Sequence, residues 1–188
     1  MTASQARLRT RDMAYIALFA ILIAVCAWIS IPMTTISFTL QTFAIFAALL
    51  TLGGRRGTYA VTVYLLLGAV GFPVFSGFQG GLGALLGATG GYIIGFLGSA
   101  LVYWLLTALV KDTLPVRITA CLLGLIVCYA FGTAWFMAVY TAGPMDVGAA
   151  VAMCVIPFIL PDLVKIGLAV TLAQRVTLYA QYEKELNE

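Results

Sequence analysis

Histidine is absent, and charge is scarce: 9% of the 188 residues are Asp, Glu, Lys or Arg, where an ordinary globular chain carries about 25%. The first absence removes the commonest metal ligand and the commonest general base. The second concerns placement as much as number. Residues 13–54 contain no charged residue, and neither do residues 57–110. A water-soluble fold needs a polar face on each surface element, and these stretches cannot supply one. Paired cysteines are missing too. Cys26, Cys121, Cys128 and Cys154 lie in apolar runs without a CxxC spacing, which argues against a zinc or thioredoxin-type site and for small buried hydrophobes. No GxxxxGK[ST] phosphate loop occurs, no metal site is indicated, and no nucleic-acid partner is expected.

What remains is 63% hydrophobic, with a mean hydropathy of +1.07. A membrane helix needs about 20 apolar residues, so this length fits six spans joined by short loops. We expect an all-α integral membrane protein, a single domain over residues 1–188 with six transmembrane helices in one bundle. The expected spans are 13–31, 38–53, 57–74, 90–110, 118–141 and 158–179, with a short helix over 145–156 on the outer face. The first is read as a permanent span: Cys26 ends an apolar run preceded by basic residues, but Val25 before it fits a lipoprotein signal poorly.

Charge placement supports this count. Arg7, Arg9 and Arg11 precede the first span, Arg55 and Arg56 separate the second and third, Lys111 and Arg117 the fourth and fifth, and Arg175 and Lys184 close the sixth. Nine of the ten basic residues thus fall on one side, which predicts cytoplasmic N and C termini. The tenth is Lys165, inside the sixth span and three residues after Asp162. A charged side chain at mid-membrane costs about 2.5–3.5 kcal/mol on insertion scales and commonly marks a substrate or ion path. A spacing of three puts acid and amine on one helical face. The pair can be self-satisfied and merely structural, or it can hold a polar ligand inside the bundle.

Glycine is clustered, with eleven of 19 between Gly68 and Gly98. Residues from about 72 to 89 are apolar but too glycine-rich for a stable helix. They predict an outer loop between the third and fourth spans that folds back and closes a pocket, since irregular backbone at membrane depth needs protein or a cavity around it. Residues 33–42 alternate polar and apolar and predict a short extended lid, with Phe38 and Gln41 near the mouth. Trp135 is read as either a pocket wall or part of the interfacial belt. In the first span Ala17, Ala20, Ala24 and Ala27 fall within about 80° of one another. Such a face lets a helix approach closely, from within the chain or from another subunit.

The segments GFPVFSGFQGGLGALLGATGGYIIGF (71–96) and PFILPDLVKIGLA (157–169) resemble the BioY family, the biotin-binding membrane subunits (S components) of energy-coupling factor transporters. The resemblance covers nearly the whole chain. It departs at Ala88, where the family's GPTGGY element has proline. It implies a six-helix bundle in the bacterial plasma membrane that captures biotin from outside as a transported ligand, not a prosthetic group. It further implies that the alanine face, matched best by Ala20 and Ala24 with Ala17 as the alternative register, docks on a coupling transmembrane protein carrying two ABC-type ATPases. In that reading Asp162 accepts from the ureido N–H groups, and Lys165 serves the ureido oxygen or the carboxylate. Gln79 is the next polar contact, backbone N–H groups at Gly80 and Gly81 are donors, and Phe75, Phe78 and Trp135 line the apolar part. The chain has no ATPase signature, and no Ser or Cys is paired with a base, so it is not expected to be an enzyme. The alternative is an autonomous secondary transporter or facilitator of biotin or another small vitamin.

Overall fold

The computed structural model describes residues 9–32, 36–140 and 146–186. In chain order the elements are α1 (Thr10–Trp28), β1 (Ser30–Pro32), β2 (Ser37–Thr39), α2 (Gln41–Leu52) and α3 (Gly54–Val70), then α4 (Leu82–Leu86), α5 (Gly90–Leu109), α6 (Leu114–Val139), α7 (Val147–Cys154) and α8 (Ile156–Leu186). Four stretches, Thr10–Trp28, Gly90–Leu109, Leu114–Val139 and Ile156–Leu178, are long and apolar enough to cross a membrane. They make the chain a multi-pass membrane protein.

Helix α2 departs from the expected span. Residues 37–39 pair antiparallel with residues 30–32, Ile31 opposite Phe38, so the helix begins only at Gln41. At 1.5 Å per residue its 12 residues reach about 18 Å, well short of a hydrocarbon core of about 30 Å. It is also buried on all sides, from Ala44 through Leu50, packed among α8, α3 and α1. An all-round apolar helix belongs at a bundle's centre. A short central helix leaves one end of the bundle's interior unfilled.

Small residues set the closest approach. Gly91 of α5 lies against the Trp135 side chain of α6, and Gly132 of α6 lies against the Tyr92 ring of α5. The Ser99 hydroxyl donates across the same seam to the Gly124 carbonyl at 2.7 Å. Overpacking such a contact costs about 1–3 kcal/mol. Gly132→Val should therefore lower the melting temperature in detergent by about 2–10 °C. Gly167→Ala in α8, where an added Cβ meets no atom, should not lower it.

The N-terminal ends of α1 and α3 meet where Arg56 pairs with the buried Asp12 at 3.2 Å. Gly54 at the start of α3 touches Trp104 near the end of α5. Asp112 in the next connection pairs with Arg117 at 2.7 Å, and that hydrogen bond holds its carboxyl below the usual carboxylate range. Arg9, Arg11, Arg55, Arg56, Lys111 and Arg117 thereby share one end of the bundle.

Candidate functional site

At the opposite end, above the N-terminus of α2, lies a cavity of about 390 Å³. This is within the usual range for small-molecule sites, about 300–1,000 Å³. Its floor is Gln41 and Thr42, the first residues of α2. The Gln41 N–H there donates to the Thr39 hydroxyl at 3.3 Å, and the positive end of the helix dipole faces the hollow. One wall comes from Tyr92, Ile93 and Phe96 of α5 with Leu125, Cys128 and Tyr129 of α6. Ser30, Ser37 and Thr39 of the β pair and Phe158, Asp162 and Lys165 of α8 complete the enclosure.

The ion pair is inside it. Lys165 Nζ donates to Asp162 Oδ1 at 2.7 Å, and each residue is only 4% exposed. The second carboxylate oxygen, Oδ2, accepts from the Tyr129 hydroxyl at 2.6 Å. The ammonium also sits over the Phe38 ring, 3.9 Å from its centroid. A desolvated cation on a ring face gains up to about 2 kcal/mol. Lys165 has three N–H donors, and among the described residues one of them is hydrogen-bonded. The site therefore offers a fixed carboxylate, donors on the ammonium, and aromatic walls.

The connection from α3 to α5 closes part of the roof. Phe75 is fully buried, packed on Gly68 and edge-on to Tyr64 with ring centroids 5.6 Å apart. Its N–H donates to the Gln79 carbonyl at 2.9 Å, which folds residues 75–79 into a tight loop. Gly77 turns that loop at φ +69, a conformation glycine adopts without steric cost. Tyr64 in turn accepts from Gln41 Nε2 at 2.8 Å, joining roof, core and floor. Two indoles tie the connection down: Trp28 Nε1 donates to the Pro73 carbonyl at 2.8 Å, and Trp135 Nε1 to the Gly87 carbonyl at 3.0 Å.

Of the residues singled out from the sequence, Asp162, Lys165, Gln79, Phe75 and Gln41 line the cavity, and Phe38 reaches it through Lys165. The structure places the others elsewhere. Phe78 is 63% exposed and stacks on Trp28, outside the hollow. Trp135 is a strut for Gly87 and does not line the cavity. Gly80 packs against the Phe72 carbonyl, and the Gly81 N–H is already given to the Gly68 carbonyl at 2.7 Å, so neither lines the cavity. Ala20 and Ala24 are core residues, 1% and 6% exposed, and present no docking face; Ala17 is exposed. The part of the extended lid at residues 33–35 lies outside the described residues.

Sequence reasoning missed Tyr129 and Tyr92. A tyrosine hydroxyl in mid-span is costly to bury without a partner. That signal could have pointed Tyr129 to the acid on α8. Tyr92 shares a 2.7 Å hydrogen bond with Thr133.

The BioY family model matches residues 1–181. The chain belongs to the BioY family. A relative named biotin transporter BioY, from Thermotoga maritima, is 40% identical over 159 residues, covering 85% of this chain and 91% of the relative. A probable biotin transporter BioY from Pyrococcus horikoshii is 37% identical over 169 residues, covering 90% and 98%. Both BioY relatives are named as transporters, not enzymes. Among solved structures, the S-component for biotin from an ECF-type ABC transporter, a crystal structure at 2.1 Å, superposes with a TM-score of 0.78. The match is 24% identical and covers 94% of each chain, which establishes the common fold.

Proposed function

We propose that the chain is the biotin-binding subunit of an ATP-driven uptake system, with no catalysis of its own. The observation that carries this reading is a cavity holding a buried, tyrosine-anchored acid–amine pair, in a chain of the BioY family. Biotin has a ureido ring that needs both donors and acceptors, an apolar ring and arm, and a carboxylate. Asp162 accepts from the ureido N–H groups and Lys165 donates to the ureido oxygen. Gln79 is a further polar contact. Phe75 and Phe96 flank the apolar part. The start of α2 with Gln41 suits the carboxylate, because a helix N-terminus favours anions. Nanomolar capture corresponds to about 12 kcal/mol, more than two charged contacts supply, so enclosure by the roof belongs to the mechanism.

In this reading six helices, α1, α2, α3, α5, α6 and α8, form one membrane domain. The basic end faces the cytoplasm with both termini, and the cavity opens to the outside of a bacterial cell. Delivery requires a coupling transmembrane protein and two ATPases. Ala17, the exposed member of the alanine series, is the one that can meet that partner without rearrangement. Calorimetric titration of the purified chain should give a nanomolar Kd for biotin and at least a hundredfold weaker binding of other vitamins. Equal binding of another vitamin removes the biotin assignment. Sealed vesicles holding this chain alone should not accumulate biotin; gradient-driven accumulation would instead identify a secondary transporter.

A further inference from the structure

One hydroxyl pair in the wall of the ligand cavity has a proton to spare. Thr58, Thr62, Thr107, Thr171 and Thr177 each return the side-chain O–H to the carbonyl four residues earlier in their own helix, at 2.7–2.9 Å. Thr133 of α6 is buried and makes no such bond among the described residues. It reaches across the seam to the Tyr92 hydroxyl of α5 at 2.7 Å. The Tyr92 ring rests on Gly132, where a Cβ would clash, so its hydroxyl is held in place on the cavity wall. Two hydroxyls carry two protons, and their mutual hydrogen bond uses one. Tyr92 lines the cavity and Thr133 does not. If Tyr92 donated, the threonine proton would be stranded away from the hollow, where no hydrogen bond receives it among the described residues. If Thr133 donates, Tyr92 keeps its own proton for the hollow. Cys154 packs beside Tyr92, but a thiol sulfur is a weak acceptor. Thr133 stands four residues beyond Tyr129 on α6, a rise of about 6 Å, so this donor is a polar group separate from the Asp162–Lys165–Tyr129 cluster.

We infer that Tyr92 is a specificity-determining residue of the site: its hydroxyl accepts from Thr133 and donates to an oxygen acceptor of the bound ligand. Thr133 is a positioning residue that acts through Tyr92. A hydroxyl that already accepts a hydrogen bond is polarised into a stronger donor. The cavity then selects ligands with an acceptor at this place and rejects those that present a donor or a methyl group, because either leaves the tyrosine proton unpaired. The assignment rests on the biotin reading above. Biotin has two kinds of oxygen acceptor, the ureido oxygen and the carboxylate, and each has lone pairs beyond those that Lys165 and the start of α2 take up in that reading.

The test is calorimetric titration of the full chain in detergent with biotin and two analogues. In one the tail ends in a methyl group in place of the carboxylate. In the other sulfur, a weaker acceptor, replaces the ureido oxygen. Tyr92→Phe should weaken biotin by at least about fivefold, the loss expected when one partner of a buried hydrogen bond is removed. That penalty should fall below about twofold with one analogue, and the analogue that abolishes it identifies the oxygen Tyr92 meets. Thr133→Val should cost about threefold in the native background and nothing further beside Tyr92→Phe. Thr133→Ser, which keeps the hydroxyl, should bind within about twofold of the native chain. Native affinity in Tyr92→Phe, a penalty of the same size with both analogues, or additive losses in the double variant would overturn the assignment. If Tyr92→Phe does not fold, the threonine series decides: native affinity in Thr133→Val, or equal losses in the valine and serine variants, overturns it. A native chain that does not bind biotin removes the biotin reading and this assignment together. A native chain that binds biotin no better than Tyr92→Phe does removes the assignment alone.

Discussion

Lys165→Met should weaken biotin binding by at least tenfold. The ammonium supplies one charge-assisted hydrogen bond, worth about 1.5–3 kcal/mol, and each 1.4 kcal/mol is a factor of ten. The substitution also leaves Asp162 buried with Tyr129 as its sole hydrogen-bond partner among the described residues. Breaking a buried pair from one side costs about 3–5 kcal/mol of stability, so the single variant confounds binding with folding. The double variant Asp162→Asn with Lys165→Met separates them. It removes both charges and keeps nearly the same volume, and replacing a buried pair whole is often neutral or stabilising. Its melting temperature should recover most of the loss, while biotin affinity in calorimetry stays at least tenfold down. Native affinity in the double variant would make the pair a packing device and remove it from the site.

Gly68→Val should reduce biotin affinity by at least a hundredfold, through a residue that does not line the cavity. Gly68 is in helical backbone, and the Phe75 ring rests on its Cα with no room for a Cβ. Its carbonyl also accepts the Gly81 N–H at 2.7 Å, which anchors the far side of the same loop. Valine at this position must drive the Phe75 ring toward the cavity it lines, and about 390 Å³ leaves little to spare. The rescue is specific. Phe75→Ala alone should cost about tenfold by removing apolar contact, since burying a phenylalanine contributes about 1.5–3 kcal/mol. Adding Phe75→Ala to Gly68→Val should recover affinity to the level of Phe75→Ala alone. Strictly additive losses in this double-mutant cycle would show that the two residues act independently.

The legible parts of this protein were those written in charge. Two long stretches without ionisable residues announced a multi-pass membrane protein, and basic residues on alternate connections gather at one end of the bundle. Asp162 and Lys165 stood out because an apolar helix tolerates an acid and an amine only for a reason. Side chains that differ by a half-turn were harder to read. The alanine repeat of α1 is the same sequence whether it faces a partner or its own core, and α2 and α3 bury Ala20 and Ala24. Phe78 follows a glycine in the sequence and Trp135 lies in an aromatic-rich stretch, but Trp135 braces a carbonyl and Phe78 stacks on the outer surface. Tyr129 was hidden because its partner lies 33 residues away on another helix. No local periodicity encodes that distance.

The late start of α2 has a consequence for how the size of the hollow can vary within this fold. Its first residue sets the depth of the hollow, and the preceding hairpin decides where that residue falls. One more helical turn at this point would fill about 5 Å of the hollow with backbone. One turn fewer would deepen the well by the same amount, with the lipid-facing helices untouched. Insertions or deletions between Ser30 and Gln41 are thus a mechanical dial on the size of the hollow.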